Sequence, residues 1–131
     1  MLFNIDPGDE LAIYDQIVRQ VKFAIASGAV LPGELVPSVR ELAKQVTVNP
    51  NTVVRAFREL QTAGVLETVR GTGLIVTKSA PKRCRADRKE LIRLRVRAVL
   101  QEALQSQLDV DEIRQLTEEE LAQLHAERNA Q

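Results

Sequence analysis

Aromatic side chains make up only 3% of this chain against 44% apolar residues, so any core it buries is aliphatic. A single cysteine, Cys84, excludes an internal disulfide framework and suits a reducing compartment. A single histidine, His125, stands near the C-terminus, far from Cys84 in sequence and facing solvent by its pattern. No metal or cofactor site is therefore expected. Catalysis would need a nucleophile beside its base, or two carboxylates facing each other in a pocket. The run Glu118-Glu119-Glu120 is consecutive and reads as solvated, so the chain is not expected to be an enzyme. No apolar run approaches the roughly 20 residues that a membrane helix needs. The first residues carry Asp6, Asp9 and Glu10 with no basic cluster, which is not a signal-peptide pattern; the expected location is the cytoplasm.

Net charge is missing as well, with 18 Lys/Arg against 18 Asp/Glu. The total hides an asymmetry: residues 79–100 hold eight basic and two acidic residues, and residues 101–131 hold two basic and eight acidic. A polyanion responds to local charge, not to the total. Lys82, Arg83, Arg85, Arg88 and Lys89 thus either meet phosphates or form a solvated helix face.

What is present is a chain long enough, at 131 residues, for one small domain and a helical appendage. Residues 1–9 read as extended or irregular. Leu11, Tyr14, Ile17, Val18, Val21 and Ile25 recur at helical spacing, which predicts a first helix from Glu10 to about Ser27, ended by Gly28. After the Leu31-Pro32-Gly33 turn, Ser38 with Glu41 three residues on is a capping box, opening a second helix to about Gln45. Asn49 or Asn51 caps a third, with Pro50 in its first turn, running to about Ala63 before Gly64. Leu66–Arg70 and Leu74–Thr77 read as two strands joined at Gly71-Thr72-Gly73.

Two short capped helices joined through Gln45–Val48 have the geometry of a helix-turn-helix, whose second helix enters the major groove of DNA. With the first helix and the hairpin they make a winged helix-turn-helix domain over residues 10–78. Residues 79–87 are read as a linker, with Cys84 an exposed thiol within it. Residues 88–128 follow as a small helical dimerisation segment, one helix from about Arg88 to Gln107 and the rest capped at Asp109 or Asp111. Thr117 with Glu120 could open a further cap, so that this end reads as one helix or two. Leu91, Val99, Leu104, Leu116 and Leu121 need a partner surface, which a homodimer supplies; a monomer with its tail folded back is the alternative. The fold class is mainly α.

The residues just read resemble the GntR family of bacterial transcription regulators, and in particular its short YtrA-like branch. The resemblance is carried by Ile13-Tyr14-Asp15-Gln16-Ile17, by the run from Gly28 to Ala43, by Val48-Asn49-Pro50-Asn51-Thr52-Val53, by Arg55-Ala56-Phe57 and by Arg70-Gly71-Thr72-Gly73. Val36, Phe57, Ile75 and Ala12 depart from its usual residues, all as packing or helix-start changes. The resemblance implies a winged helix with a small dimerising tail, a double-stranded DNA operator as partner, and repression of a neighbouring operon.

Candidate DNA-binding residues follow from position and resemblance together. Arg40, placed in the DNA contact set by the resemblance, is otherwise disfavoured by the dipole of its helix and could instead pair with Glu41 or Glu34. Asn49, Asn51 and Thr52 open the recognition helix, where short polar side chains can cap, hold phosphate or read a base edge. Arg55 lies further along on the face opposite Val53, Ala56 and Phe57, and Arg58 is the next candidate. Arg70, Gly71, Thr72 and Gly73 form a wing tip that fits a minor groove, or simply a tight turn. Tyr14 is assigned to the core. A small-molecule effector, of no stated identity, would have to use the helical tail or the dimer interface. The competing reading is a winged-helix protein-interaction module without specific DNA binding.

Overall fold

The structure, a computed structural model, describes residues 3–9 and 11–130. Glu10, the expected start of the first helix, lies outside the described residues, as do Met1 and Leu2 of the extended stretch; Leu11 and Ala12, expected within that helix, precede it, with Ala12 as its N-cap. The element order is α1 (Ile13–Ala26), α2 (Val39–Val46), α3 (Pro50–Thr62), β1 (Leu66–Val69), β2 (Gly73–Val76), α4 (Ala80–Gln105) and α5 (Val110–Asn129). The chain divides into two compact units, one up to Lys89 and one from Glu90 on. No helix among the described residues is long and apolar enough to cross a membrane.

In the first unit, α1 buries Ile17, Val18, Val21 and Ile25 along one stripe, as its spacing requires. α3 presents Val53, Ala56, Phe57 and Leu60 to it, and α2 adds Leu42 and Ala43. Val30, Val36, Val65, Leu66 and Val76 close the same core from the loops and the hairpin. The hairpin is antiparallel, with Leu66 opposite Val76 and Val69 opposite Gly73. Two strands alone are marginal in water. Here a third segment supports them: the Gly33 and Val36 amides donate to the Val76 and Leu74 carbonyls, and the Val76 amide donates to Glu34.

The helix-turn-helix junction contains a strained residue. Thr47, the C-cap of α2, has φ +55°, in the left-handed region. A β-branched residue seldom adopts it. The chain must reverse there so that the Val48 amide can reach the Ala43 carbonyl at 3.1 Å.

Residues 3–9 cross the outside of α1, with Phe3 and Ile5 against the core. Two glutamines one helical turn apart hold them. Gln20 accepts from the Asn4 amide at 2.8 Å and donates to the Asn4 carbonyl at 2.6 Å. Gln16, buried, accepts from the Asp6 amide and donates to the Asp6 and Leu11 carbonyls.

The stretch read as a linker is helical. α4 begins at Ala80, eight residues before the expected start, with the Arg83 amide donating to the Ser79 carbonyl at 3.2 Å and Pro81 in the first turn. Ala80 and Cys84, at i and i+4, are fully buried in the core, so Cys84 is not an exposed thiol. Burial pushes its pKa above the usual thiol value, although Lys22 works against the rise. Arg83 donates to the Ala63 carbonyl at 3.3 Å, beyond the end of α3. A Cβ on Gly64 would come within 3.3 Å of the Arg83 guanidinium, and Gly64 itself has φ +76°. Lys22 pairs with Asp87 at 3.0 Å, and the Arg88 guanidinium lies 4.5 Å over the Phe23 ring. Of the basic stretch, Arg83 and Arg88 are thus engaged within their own unit, while Lys82, Arg85 and Lys89 are exposed.

The second unit contains the rest of α4 and α5. Asp109 caps α5, accepting from the Glu112 amide at 2.8 Å, and that bond lowers its carboxyl pKa. The helix then runs unbroken: Thr117 donates to the Ile113 carbonyl at 2.7 Å as a mid-helix residue and opens no second cap. Within this unit only Ile113 is buried among the described residues, while Val99 and Leu121 are 63% and 66% exposed.

Two outcomes follow. Thr47→Gly should raise unfolding free energy in urea by about 0.5–1 kcal/mol, because relief of the left-handed strain exceeds the added chain entropy of glycine. The Cys84 thiol should resist Ellman's reagent in buffer at pH 8 and react fully in denaturant. Burial and a raised pKa both keep the thiolate scarce; fast labelling of the folded protein would contradict the packing described.

Candidate nucleic-acid interface

The candidate interface is built on α2, α3 and the hairpin tip. α2 is opened by a complete capping box: the Glu41 amide donates to Ser38 Oγ at 3.1 Å and the Ser38 amide to Glu41 Oε1 at 3.4 Å. That use of Glu41 leaves Arg40 exposed, and among the described residues Arg40 makes neither of the ion pairs open to it in the sequence. Lys44 follows one turn later on the same side. Both line a shallow cleft between α2 and the start of α3, with Val39, Ala43, Val48 and Pro50 as its apolar wall.

Asn49 is the N-cap of α3, its Oδ1 accepting from the Asn51 amide at 2.8 Å. Of the three short polar residues at this helix start, Asn49 is therefore the one used structurally, through its oxygen. Asn51 is exposed and Thr52 half-buried. Asn51, Arg55 and Arg58 recur at i, i+4 and i+7, so they form one exposed stripe opposite the buried Val53, Ala56, Phe57 and Leu60.

The structure adds one contact that sequence reasoning missed. The Arg55 guanidinium carbon lies 3.7 Å from the centroid of the Tyr14 ring. Tyr14, the second residue of α1, packs against the core as expected, but its ring also carries this cation. Helical spacing places Tyr14 and Arg55 on their own helices only. No sequence signal says that the two faces meet.

At the other end, β1 and β2 project Arg70, Gly71, Thr72 and Gly73 into solvent. The Thr72 amide donates to the Val69 carbonyl at 3.0 Å, closing a four-residue turn with Gly71 at φ +79° in its third position. Glycine takes that angle at no steric cost. Among the described residues nothing pairs with the Arg58 or Arg70 guanidinium, and no cluster that could hold a metal ion is present. All ten candidate residues belong to the first unit, split between the α2–α3 surface and the hairpin tip.

Residues 13–76 match the family model of the bacterial regulatory proteins, gntR family. Over 79 residues the chain is 43% identical to the HTH-type transcriptional repressor YtrA of Bacillus subtilis, which covers 60% of this chain and 61% of that protein. The matches to the most similar curated relatives span 56–61% of those proteins' lengths. The fold is similar to that of a transcriptional regulator from Oenococcus oeni, with TM-score 0.77 and 26% identity over 92% of this chain and 99% of that one. It is also similar to a GntR family transcriptional regulator from Listeria monocytogenes, with TM-score 0.69 and 30% identity over 85% of this chain and 96% of that one. Three core helices, a hairpin and the motif residues in order across 13–76, together with near-complete coverage of a 30%-identical member, place the chain in the GntR family of bacterial regulatory proteins, close to its YtrA-like members.

Proposed function

We propose that this chain is a sequence-specific DNA-binding transcription regulator, not an enzyme, that occupies a palindromic operator as a homodimer and represses. The observation that carries the reading is the two-sidedness of α3: one face buries Val53, Ala56, Phe57 and Leu60, and the other exposes Asn51, Arg55 and Arg58, with no ion pair to either arginine among the described residues. In this reading α3 lies in the major groove, Arg40 and Thr52 meet the backbone or base edges beside it, and Asn49 can add its amide nitrogen. Arg70 and the Gly71-Thr72-Gly73 tip reach the adjacent minor groove, where absent side chains permit close approach. The similarity to a protein named as a repressor supports the direction of control. A cytoplasmic location goes with that role.

The second copy is assigned to the helical segment, with residues 10–78 as the DNA-binding domain. Val96, Leu100, Leu104, Val110 and Ile113 line an apolar groove of about 550 Å³ within the second unit. Exposed apolar faces of this extent are normally covered, and a two-fold operator suits a two-fold protein. An effector, where the operator is ligand-controlled, would enter this same groove.

Two measurements test the proposal. Arg55→Ala should weaken binding to a duplex selected from random sequence by about 1–3 kcal/mol and relax preference at one base pair, with an unchanged circular dichroism spectrum. Unchanged affinity would remove Arg55 from the reading set. A chain ending at Lys89, which retains the buried Ala80 and Cys84, should sediment as a monomer and bind a half-site weakly, while the full chain sediments as a dimer. A persistent dimer of the shortened chain would move the interface to the first unit.

A further inference from the structure

The Arg55–Tyr14 stack has a chemical consequence that depends on which part of the guanidinium it occupies. The group is planar, with five N–H donors directed outward in its plane. Its carbon lies over the Tyr14 ring at 3.7 Å from the centroid, a stacking separation too short to stand an N–H edge between the two, so the contact is made by the face. A face contact uses the cation's charge and leaves the donor edge free. Among the described residues no carboxylate, carbonyl or hydroxyl accepts from Arg55, so the whole fork remains available. Arg40, Arg58 and Arg70 are as exposed as Arg55 but have no ring beneath them among the described residues. Arg55 is thus the one arginine of the α2–α3 surface whose long side chain is already held in place.

A free arginine side chain loses its rotamer freedom when it docks. One held beforehand loses less, and it also offers its fork from a fixed direction. Direction matters because the best protein match to guanine is the pair of coplanar acceptors O6 and N7 in the major groove, which takes two parallel N–H bonds from an arginine edge. Tyr14 is itself fixed, packed against the core at the N-terminal end of α1. We propose that Tyr14 is a specificity-determining positioning residue: its ring holds the Arg55 guanidinium by one face so that the edge is set to read a guanine. Tyr14 touches no base in this scheme and acts only through Arg55. The inference rests on the DNA-reading role of α3 proposed above.

The test uses the full chain and the duplex that wild type enriches from random sequence, with base-pair substitutions at each position. Tyr14→Phe keeps the ring and should retain both affinity and base preference. Tyr14→Leu should lose about three- to ten-fold in affinity, as expected for a partly exposed cation–π contact, and the loss should concentrate at the base pair where Arg55→Ala relaxes preference. In an Arg55→Ala background, Tyr14→Leu should change nothing further. Replacement of Tyr14 by pentafluorophenylalanine keeps the shape but reverses the ring quadrupole. It should behave like Tyr14→Leu while melting like wild type, which keeps the test decisive even where leucine disturbs the fold. Equal losses from Tyr14→Leu with and without Arg55, a loss spread evenly over all positions, or wild-type binding by the fluorinated variant would each overturn the inference while leaving the DNA-reading role intact. Failure of wild type to enrich any sequence would overturn both.

Discussion

The contact between the Val53–Ala56–Phe57–Leu60 stripe of α3 and the α1 stripe from Ile17 to Ile25 fixes everything else in the first unit. Each large apolar side chain buried there contributes about 1.5–3 kcal/mol. More important is its effect on orientation. A helix with one fully buried face has no rotational freedom about its axis, so the opposite face is determined as well. Asn51, Arg55 and Arg58 are exposed because Val53, Ala56 and Leu60 cannot be. The same docking brings the N-terminal end of α1 to α3 and lays the Tyr14 ring against a residue 41 positions away, at 3.7 Å. Where the core places a helix, the surface chemistry follows.

Much of this was legible in the amino-acid sequence, for reasons that can be named. Ser38 with Glu41, and Asn49 before Pro50, are local signals whose physics does not depend on the rest of the chain, and both caps form. The apolar periods of the first three helices place the buried Ile17, Val18, Val21, Ile25, Leu42, Ala43, Val53, Ala56, Phe57 and Leu60, while Leu11 stands before α1 and Tyr14, Val39 and Val46 are half-buried. The hairpin appears with its expected ends shifted by a residue. The sequence of 79–87 reads as a linker because its charges and Pro81 outweigh a two-residue apolar face, Ala80 and Cys84. A small alanine and a cysteine carry a weak hydrophobic signal. Their burial is imposed by the α1–α3 surface they cover, which is a tertiary fact. Thr117 and Glu120 have the spacing of a cap, but an already running helix satisfies the Thr117 hydroxyl at the Ile113 carbonyl instead. The Arg55–Tyr14 stack was illegible for the same kind of reason, since it joins two helices through geometry alone.

Charge shows the same dependence on context. The net of zero says little, and the basic block says less than it first does. Arg83 closes the end of α3 at the Ala63 carbonyl, and Arg88 lies on Phe23. Lys22 and Asp87 neutralise each other at 3.0 Å. Such exposed pairs contribute little to stability individually, but they tie the first turns of α4 to α1. Charges given to the fold here are not charges available to a polyanion. Among the described residues Arg40, Arg55, Arg58 and Arg70, on the helix-turn-helix and the hairpin tip, are in no ion pair, and neither are the exposed Lys82, Arg85 and Lys89 of the basic block.

The two carboxamides that hold residues 3–9 grip peptide groups and no side chain. Gln20 takes both backbone groups of Asn4, and Gln16 takes both of Asp6. In effect two side chains one turn apart on a helix imitate the edge of a β-strand, matching alternate residues of an extended segment. Recognition of this kind is blind to spelling. As far as these rungs go, positions 4 and 6 need only keep the amide hydrogen that proline cannot supply, although the Asp6 carboxylate also accepts from the Gly8 amide at 2.9 Å and closes the turn that follows. The segment is held as polymer, and side-chain identity enters through the two hydrophobic residues beside those rungs, Phe3 and Ile5, and through the Asp6 turn.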